Sequence, residues 1–180
     1  MNTRILLLLL TTLITGIGHS NGQDNRYLVK AIEDGDTLVV EMEGRPERLQ
    51  LMGIDAPENT INPKLTRDIQ RTGMEKSRLL VIGDAAATHL GALVKPGDQI
   101  SIQDGRLQKD KYGRLSVIAY NGTGRSLNQA MVEDGYAVVL GRYPLPESLK
   151  ASLKAAAETA KIENRGLWGK YPEITRAWGG

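Results

Sequence analysis

A chain of 180 residues, 41% hydrophobic and with no Cys or Phe, is long enough for one domain with its own core. The missing cysteines exclude disulfide stapling and cysteine-type zinc sites. A formal charge of only +2 argues against a protein that coats nucleic acid by electrostatics alone, and leaves room for a local site that grips a few phosphates.

The first twenty residues stand apart. Arg4 is their only charge, Ile5 to Ile14 is an apolar run, and small residues follow at Gly16, Gly18 and Ser20. That is the order of a secretory signal. The run is short for a membrane span, which needs about 20 apolar residues. The expectation is a signal peptide over 1–20, cleaved after Gly18 or Ser20, and an exported domain over 21–180. An uncleaved anchor is the alternative.

After a polar start, Tyr27 to Glu33 reads as a strand, Asp34-Gly35-Asp36 as a turn, and Thr37 to Met42 as a second strand rich in β-branched residues. Gly44-Arg45-Pro46 turns the chain into Glu47 to Ile54, where Leu49 and Leu51 alternate with Arg48, Gln50 and Met52. These three strands form a meander. Periodicity is lost from Asn59 to Lys76, which reads as a long loop, either a surface insertion or a gate for substrate. A helix ending near Val94 comes next, with Ile82, Ala86, Leu90 and Leu93 on one face and His89 on its surface. Gln99 to Gln103 is strand four, 104–112 is loop-like, and Leu115 to Tyr120 is strand five. Asn121-Gly122 is a turn. Ser126 with Gln129 makes a capping box for a short helix that stops at Gly135. After Pro144 and Pro146 comes the last helix, with Leu149, Leu153, Ala156 and Ala160 inward. Five strands and about three helices predict an α+β domain.

Asp36 and Asp55 sit at strand edges, where carboxylates are held firmly yet stay wet, and both suit an oxygen-seeking divalent cation. Glu58, stiffened by Pro57, is placed to act as a general base. Arg114 is a candidate phosphate clamp, because a guanidinium grips two phosphate oxygens at once. Each has a plainer alternative. Asp34 and Asp36 are what a turn uses, Glu58 is an exposed loop acid, and Arg114 pairs with a carboxylate.

The pieces D-G-D-T at 34–37, G-I-D-A-P-E at 53–58, D-K-Y-G-R at 110–114, S-L-N-Q-A at 126–130 and R-G-L-W at 165–168 together resemble the staphylococcal nuclease (thermonuclease) family, in that family's order. The resemblance implies an OB-fold, a five-stranded Greek-key barrel, and a calcium-dependent nuclease acting on DNA and possibly RNA as a monomer. It implies one Ca2+ held by Asp36, Asp55 and the backbone carbonyl of Ala56, with Glu58 and Arg114 catalytic and Tyr112 and Tyr143 touching the nucleotide. One position departs. The family places a second arginine five residues before the Asp of its I-D-x-P-E motif, and here that residue is Gln50. Arg48 lies two residues earlier on the same face, about 6.5 Å along the strand, and either reaches the phosphate in its place or caps the strand in solvent. The competing reading is an OB-fold that holds single-stranded nucleic acid but hydrolyses it poorly, because the arginine pair is broken.

Overall fold

Three consecutive strands form the meander from which the barrel is built. The computed structural model describes residues 26–141 and 144–180, and for 104–108 the backbone alone. The expected signal peptide and Tyr143 lie outside the described residues. Strands β1 (Arg26–Ile32), β2 (Thr37–Met42) and β3 (Arg45–Leu51) are antiparallel neighbours. β4 (Ile54–Asp55), α1 (Pro63–Thr72) and α2 (Lys76–Leu93) come next, then β5 (Gln99–Lys109) and β6 (Arg114–Tyr120). β6 runs parallel to β3 and antiparallel to β5, and β5 closes onto β1, giving a barrel in the order β1-β2-β3-β6-β5. α3 (Leu127–Glu133), β7 (Val138–Val139), α4 (Glu147–Ile162), α5 (Leu167–Lys170) and α6 (Pro172–Gly179) complete the chain. The fold is an α+β OB-fold, with six helices among the described residues where about three were expected.

Leu38, Val40, Leu49, Leu51 and Ile100 fill the barrel, and Leu90, Leu127, Met131 and Leu153 close it from the helices. Their burial is the main source of stability, at about 1.5–3 kcal/mol per large apolar side chain. The predicted faces of α2 and α4 point inward: Ile82, Ala86, Leu90, Leu153 and Ala160 are fully buried, while Leu93, Leu149 and Ala156 are partly so. A second cluster gathers Leu65 of α1, Leu79 and Ile82 of α2, and Leu167, Ile174 and Trp178 of the C-terminal helices.

Three readings of the sequence are corrected. The 59–76 stretch is not a loop. It contains α1, whose N-cap Asn62 accepts a hydrogen bond from the Leu65 N–H at 2.9 Å, with Pro63 at the first turn and Gly73 in the left-handed conformation at the far end. Those are ordinary start and stop signals. They are easily missed because Leu65 and Ile69 are the helix's only core-facing apolar residues. Strand β5 runs on to Lys109 through Asp104 and Gly105, because pairing with β6 overrides the poor strand propensity of those residues, at the cost of two register shifts. Met52 does not continue the outer face of Arg48 and Gln50. β3 ends at Leu51, Gly53 turns with φ 80°, and Met52 is buried.

The break after Leu51 redirects the chain. It releases Ile54 and Asp55 from the barrel to pair with Val139 and Val138 of β7. Asp55 to Glu58 are thereby directed across the barrel end toward the β1–β2 turn.

Candidate active site

The β1–β2 turn holds the first acids. Asp34 Oδ1 accepts the Asp36 N–H at 2.9 Å, and Glu33 N–H bonds the Thr37 carbonyl at 2.9 Å. Asp36 is buried, and its carboxylate accepts the Thr37 hydroxyl at 2.9 Å and the Ala56 N–H at 3.1 Å. This last bond joins the D-G-D-T turn to the G-I-D-A-P-E segment, twenty residues on. Two small residues let the layers meet. A Cβ on Gly35 would lie 2.6 Å from the Ala86 Cβ and 2.7 Å from that of Ala56. A Cβ on Gly83 of α2 would fall 2.0 Å from the Glu58 carbonyl oxygen, so the helix presses directly on that peptide.

Helix α1 supplies the next set. Asn62 caps the helix with its oxygen and donates its Nδ2 to Glu58 Oε2. The same first turn brings Lys64, whose Nζ donates to the Ala56 carbonyl at 2.9 Å and lies 3.1 Å from Glu58 Oε1, 3.3 Å from Asp55 Oδ1 and 3.5 Å from Asp68 Oδ2. Asp68 is itself held by Arg71 at 3.0 Å and by the Trp178 indole N–H at 3.3 Å. Burial raises the pKa of Asp55, against the pull of Lys64. Burial and then the neighbouring Asp55 raise that of Asp36. Burial, helped by the Asp36 and Glu58 charges, pushes Asp34 up to about 7. Burial lowers the pKa of the Lys64 ammonium, but the charges of Asp55, Glu58, Asp68 and Asp36 outweigh it and drive it well above its ordinary value.

Across the cleft, the β5–β6 turn carries Arg114. Its Nε and Nη2 donate to Asp110 Oδ2 at 3.0 and 2.9 Å, and Nη1 reaches the Thr37 hydroxyl at 3.5 Å. Arg48 faces Arg114 in the β3–β6 register, but its guanidinium is held by the Glu33 carboxylate, with Nε at 2.8 Å from Oε2, and its Nη1 donates to the Tyr112 carbonyl at 3.0 Å. Arg48 borders the cleft and also braces the D-K-Y-G-R turn. Gln50 stands in β3 opposite Thr37 and Ser116, half-buried. Tyr112 is exposed on the cleft wall, its hydroxyl held below the ordinary phenol pKa by Lys111 and Arg67.

The result is a cleft of about 260 Å³ bordered by Asp34 and Glu58 on the acidic side and by Arg48, Lys64, Arg67 and Arg114 on the basic side. Asp36, Asp55, Ala56, Glu58, Arg114 and Tyr112 are thus brought together from three separate segments, and Tyr143 lies outside the described residues. Reading the sequence missed Lys64, Arg67 and Asn62, all from the 59–76 stretch. The signal that could have found them is the Asn-Pro cap: once α1 is a helix, Lys64 and Arg67 are three apart and share a face. His89 is not an isolated surface residue. Its Nε2 lies 2.9 Å from Asp134 Oδ2 and its ring stacks on Tyr136 at 4.0 Å, away from the cleft.

Residues 48–170 match the sequence profile of the staphylococcal nuclease homologue family. The chain is 28% identical over 145 residues to the endonuclease YhcR of Bacillus subtilis (strain 168), a stretch that is 79% of this chain and 11% of that protein. It is 30% identical over 121 residues to the thermonuclease of Staphylococcus hyicus, covering 67% of this chain and 62% of the relative. With the thermonuclease of Staphylococcus intermedius the figures are 29% over 143 residues, 79% and 75%. The chain therefore spans less than two thirds of the first two relatives.

Proposed function

The chain belongs to the staphylococcal nuclease homologue family, and on that premise we propose that it is a divalent-cation-dependent nuclease hydrolysing phosphodiester bonds in DNA and possibly RNA, with calcium as the cation. The observation that carries this reading is that Glu58 and Arg114 line one cleft, with Asp36 and the Ala56 segment joined behind it by the Asp36–Ala56 bond and Arg114 reaching the neighbouring Thr37. The names of the relatives, all nucleases, support it.

The oxygens of Asp36, Asp55 and the Ala56 carbonyl would hold the cation. They fit one: they are hard donors of the kind calcium takes, and two of the three already contact a positively charged group, the Lys64 ammonium. When bound, a divalent cation supplies Lewis-acid stabilisation of charge on the phosphate. The protein's own groups supply the rest. Glu58, fixed by the Asn62 amide, accepts a proton from the attacking water. Arg114, steadied by Asp110, presents Nη1 toward the cleft and stabilises the developing negative charge. Arg67, exposed on the cleft wall beside the Tyr112 hydroxyl, makes no ion pair among the described residues. Its guanidinium can take a second phosphate oxygen, the task for which Gln50 has no charge. Tyr112, with Lys111 and Arg114 at 5.0 and 5.2 Å from its ring centroid, stands on the cleft wall where a nucleotide would meet it. We also propose that the mature protein is exported after removal of residues 1–20. The N-terminal mass of secreted protein tests this: a mature start near His19 or Asn21 supports it, and an intact Met1 in the membrane fraction refutes it.

The commitment of Arg48 and Arg114 to carboxylates favours, as a second reading, a single-strand binder with weak hydrolysis. One assay separates them: the protein is incubated with single- and double-stranded DNA and RNA, with calcium or with chelator. Cleavage in calcium that stops in chelator supports the nuclease. Binding to single strands without cleavage under any cation refutes it in favour of the binder.

A further inference from the structure

The acid cluster holds a cation of the protein's own. Lys64 Nζ contacts the Ala56 carbonyl at 2.9 Å, Glu58 at 3.1 Å and Asp55 at 3.3 Å. Calcium binds oxygens at about 2.3–2.6 Å, so an ion reaching both the Ala56 carbonyl and Asp55 takes two oxygens that the ammonium already holds. Two positive charges compete for them. We propose that Lys64 is the resident counter-cation of this site and must be displaced when a divalent cation binds, so that helix α1 sets the affinity and selectivity of the metal site. The identity of the incoming ion rests on the nuclease reading.

The placement of Lys64 is built into the fold. Asn62 and Pro63 fix the first turn of α1 against Glu58. Leu65 is buried in the second apolar cluster, and Asp68 is anchored by Arg71 and Trp178. The Lys64 ammonium also lies 5.8 Å from the Trp178 ring centroid, a cation–π contact at a distance where such contacts are favourable. The helix is therefore held at both ends, and the lysine reaches the acids from a rigid support. Its side chain keeps 27% of its surface in solvent, and a four-carbon stem has the freedom to swing. It borders the same cleft as Arg67 and Arg114. An ammonium that leaves the acids stays in that cleft, where a phosphate is the anion it meets. Binding of the divalent cation and binding of a phosphate then favour one another, which is a coupling between two sites through one side chain.

The test is calorimetric titration of calcium into the purified protein and its Lys64→Met and Lys64→Arg variants, with and without a short single-stranded oligonucleotide. Lys64→Met is expected to bind calcium at least tenfold more tightly than wild type, and the oligonucleotide to tighten calcium binding in wild type but not in Lys64→Met. Equal or weaker calcium binding by Lys64→Met overturns the proposal, as does a failure of wild type and variants alike to bind calcium. A readout on wild type covers the case of a variant that does not fold. Acetylation of Lys64, monitored by mass spectrometry, should accelerate on calcium saturation as the ammonium leaves the acids, and an unchanged rate overturns the proposal. None of these readouts needs hydrolysis, so a protein that binds calcium as described but cleaves nothing refutes the nuclease reading and leaves the Lys64 exchange standing.

Discussion

Replacing Arg67 with alanine should be more damaging to hydrolysis than replacing Arg48. The expectation comes from how each guanidinium on the cleft spends its donors. Arg48 gives Nε and Nη2 to Glu33 and Nη1 to the Tyr112 carbonyl. Arg114 gives Nε and Nη2 to Asp110 and keeps Nη1, 3.5 Å from Thr37, for the cleft. Arg67 has the Tyr112 hydroxyl as a neighbour and makes no ion pair among the described residues. To recruit Arg48, a phosphate would have to break a carboxylate pair; to recruit Arg67 it breaks none. Losing one charged donor to a transition-state phosphate costs about 2–4 kcal/mol, or roughly 30- to 1000-fold in rate. Initial rates on a single-stranded oligonucleotide at saturating calcium should show that loss in kcat for Arg67→Ala, with partial recovery in Arg67→Lys. Gln50→Arg should add little to wild type but restore Arg67→Ala, and the non-additivity of that double mutant measures the shared role. If Arg67→Ala stays within about threefold of wild type while Arg48→Ala collapses the rate, Arg48 leaves Glu33 during turnover and the reasoning is wrong.

Asp55→Asn should weaken calcium binding and abolish cleavage that chelator also abolishes, because it removes one of two ligand charges; full activity of wild type in excess chelator would sink the metal assignment. Gly83→Ala should lower thermal stability by about 1–3 kcal/mol although alanine is the better helix former, since its Cβ would fall 2.0 Å from the Glu58 carbonyl oxygen; a stabilised variant would refute that packing. Asp34, with its pKa raised to about 7, gives a pH signature in calcium-free buffer. The native state keeps a proton there that the unfolded chain loses near its ordinary value of 3.8, so stability falls as pH rises between those values and levels off above. By about 1.4 kcal/mol per unit, that loss reaches up to about 4 kcal/mol. Denaturation midpoints for Asp34→Asn should be flatter across that window, and an unchanged slope would show that Asp34 is not the group responsible.

What the sequence makes legible is what local rules govern. Leu49 and Leu51 alternate, Ile82, Ala86 and Leu90 recur at helical spacing, and all five are buried. The acids of the three motifs converge because they sit at strand ends on one end of the barrel. The rest depends on partners far apart in the chain. Glu33 captures Arg48 across fifteen positions, which no pattern within β3 reveals. Val117, Ser116 and Leu115 carry β5 through Gly105 and beyond, where propensity alone stops it. Helix α1 is the instructive case, since its cap, its Pro63 and its Gly73 were all readable. Its apolar stripe is only as wide as the small cluster under Trp178, so periodicity gave no warning.

That narrow stripe has a functional corollary. A helix needs only a minimal buried face to be fixed in place, and the rest of its surface is then free to carry chemistry. α1 is fixed by Leu65 and Ile69 on one side, and its Lys64 and Arg67 border the cleft on another. The β1–β2 turn of the barrel and the separate β4 segment supply the acids of D-G-D-T and G-I-D-A-P-E, while the basic groups facing them come partly from an added segment. Asp36 is fixed by its bond to the Ala56 N–H and Asp55 by the β4–β7 ladder, so moving either acid disturbs backbone pairing. Cations on long side chains from a separate helix can be exchanged without disturbing that ladder. Substitutions in α1 should therefore alter cation affinity and phosphate contacts while leaving the barrel intact, whereas the turn at Asp36 and the β4–β7 pair that positions Asp55 tolerate little change.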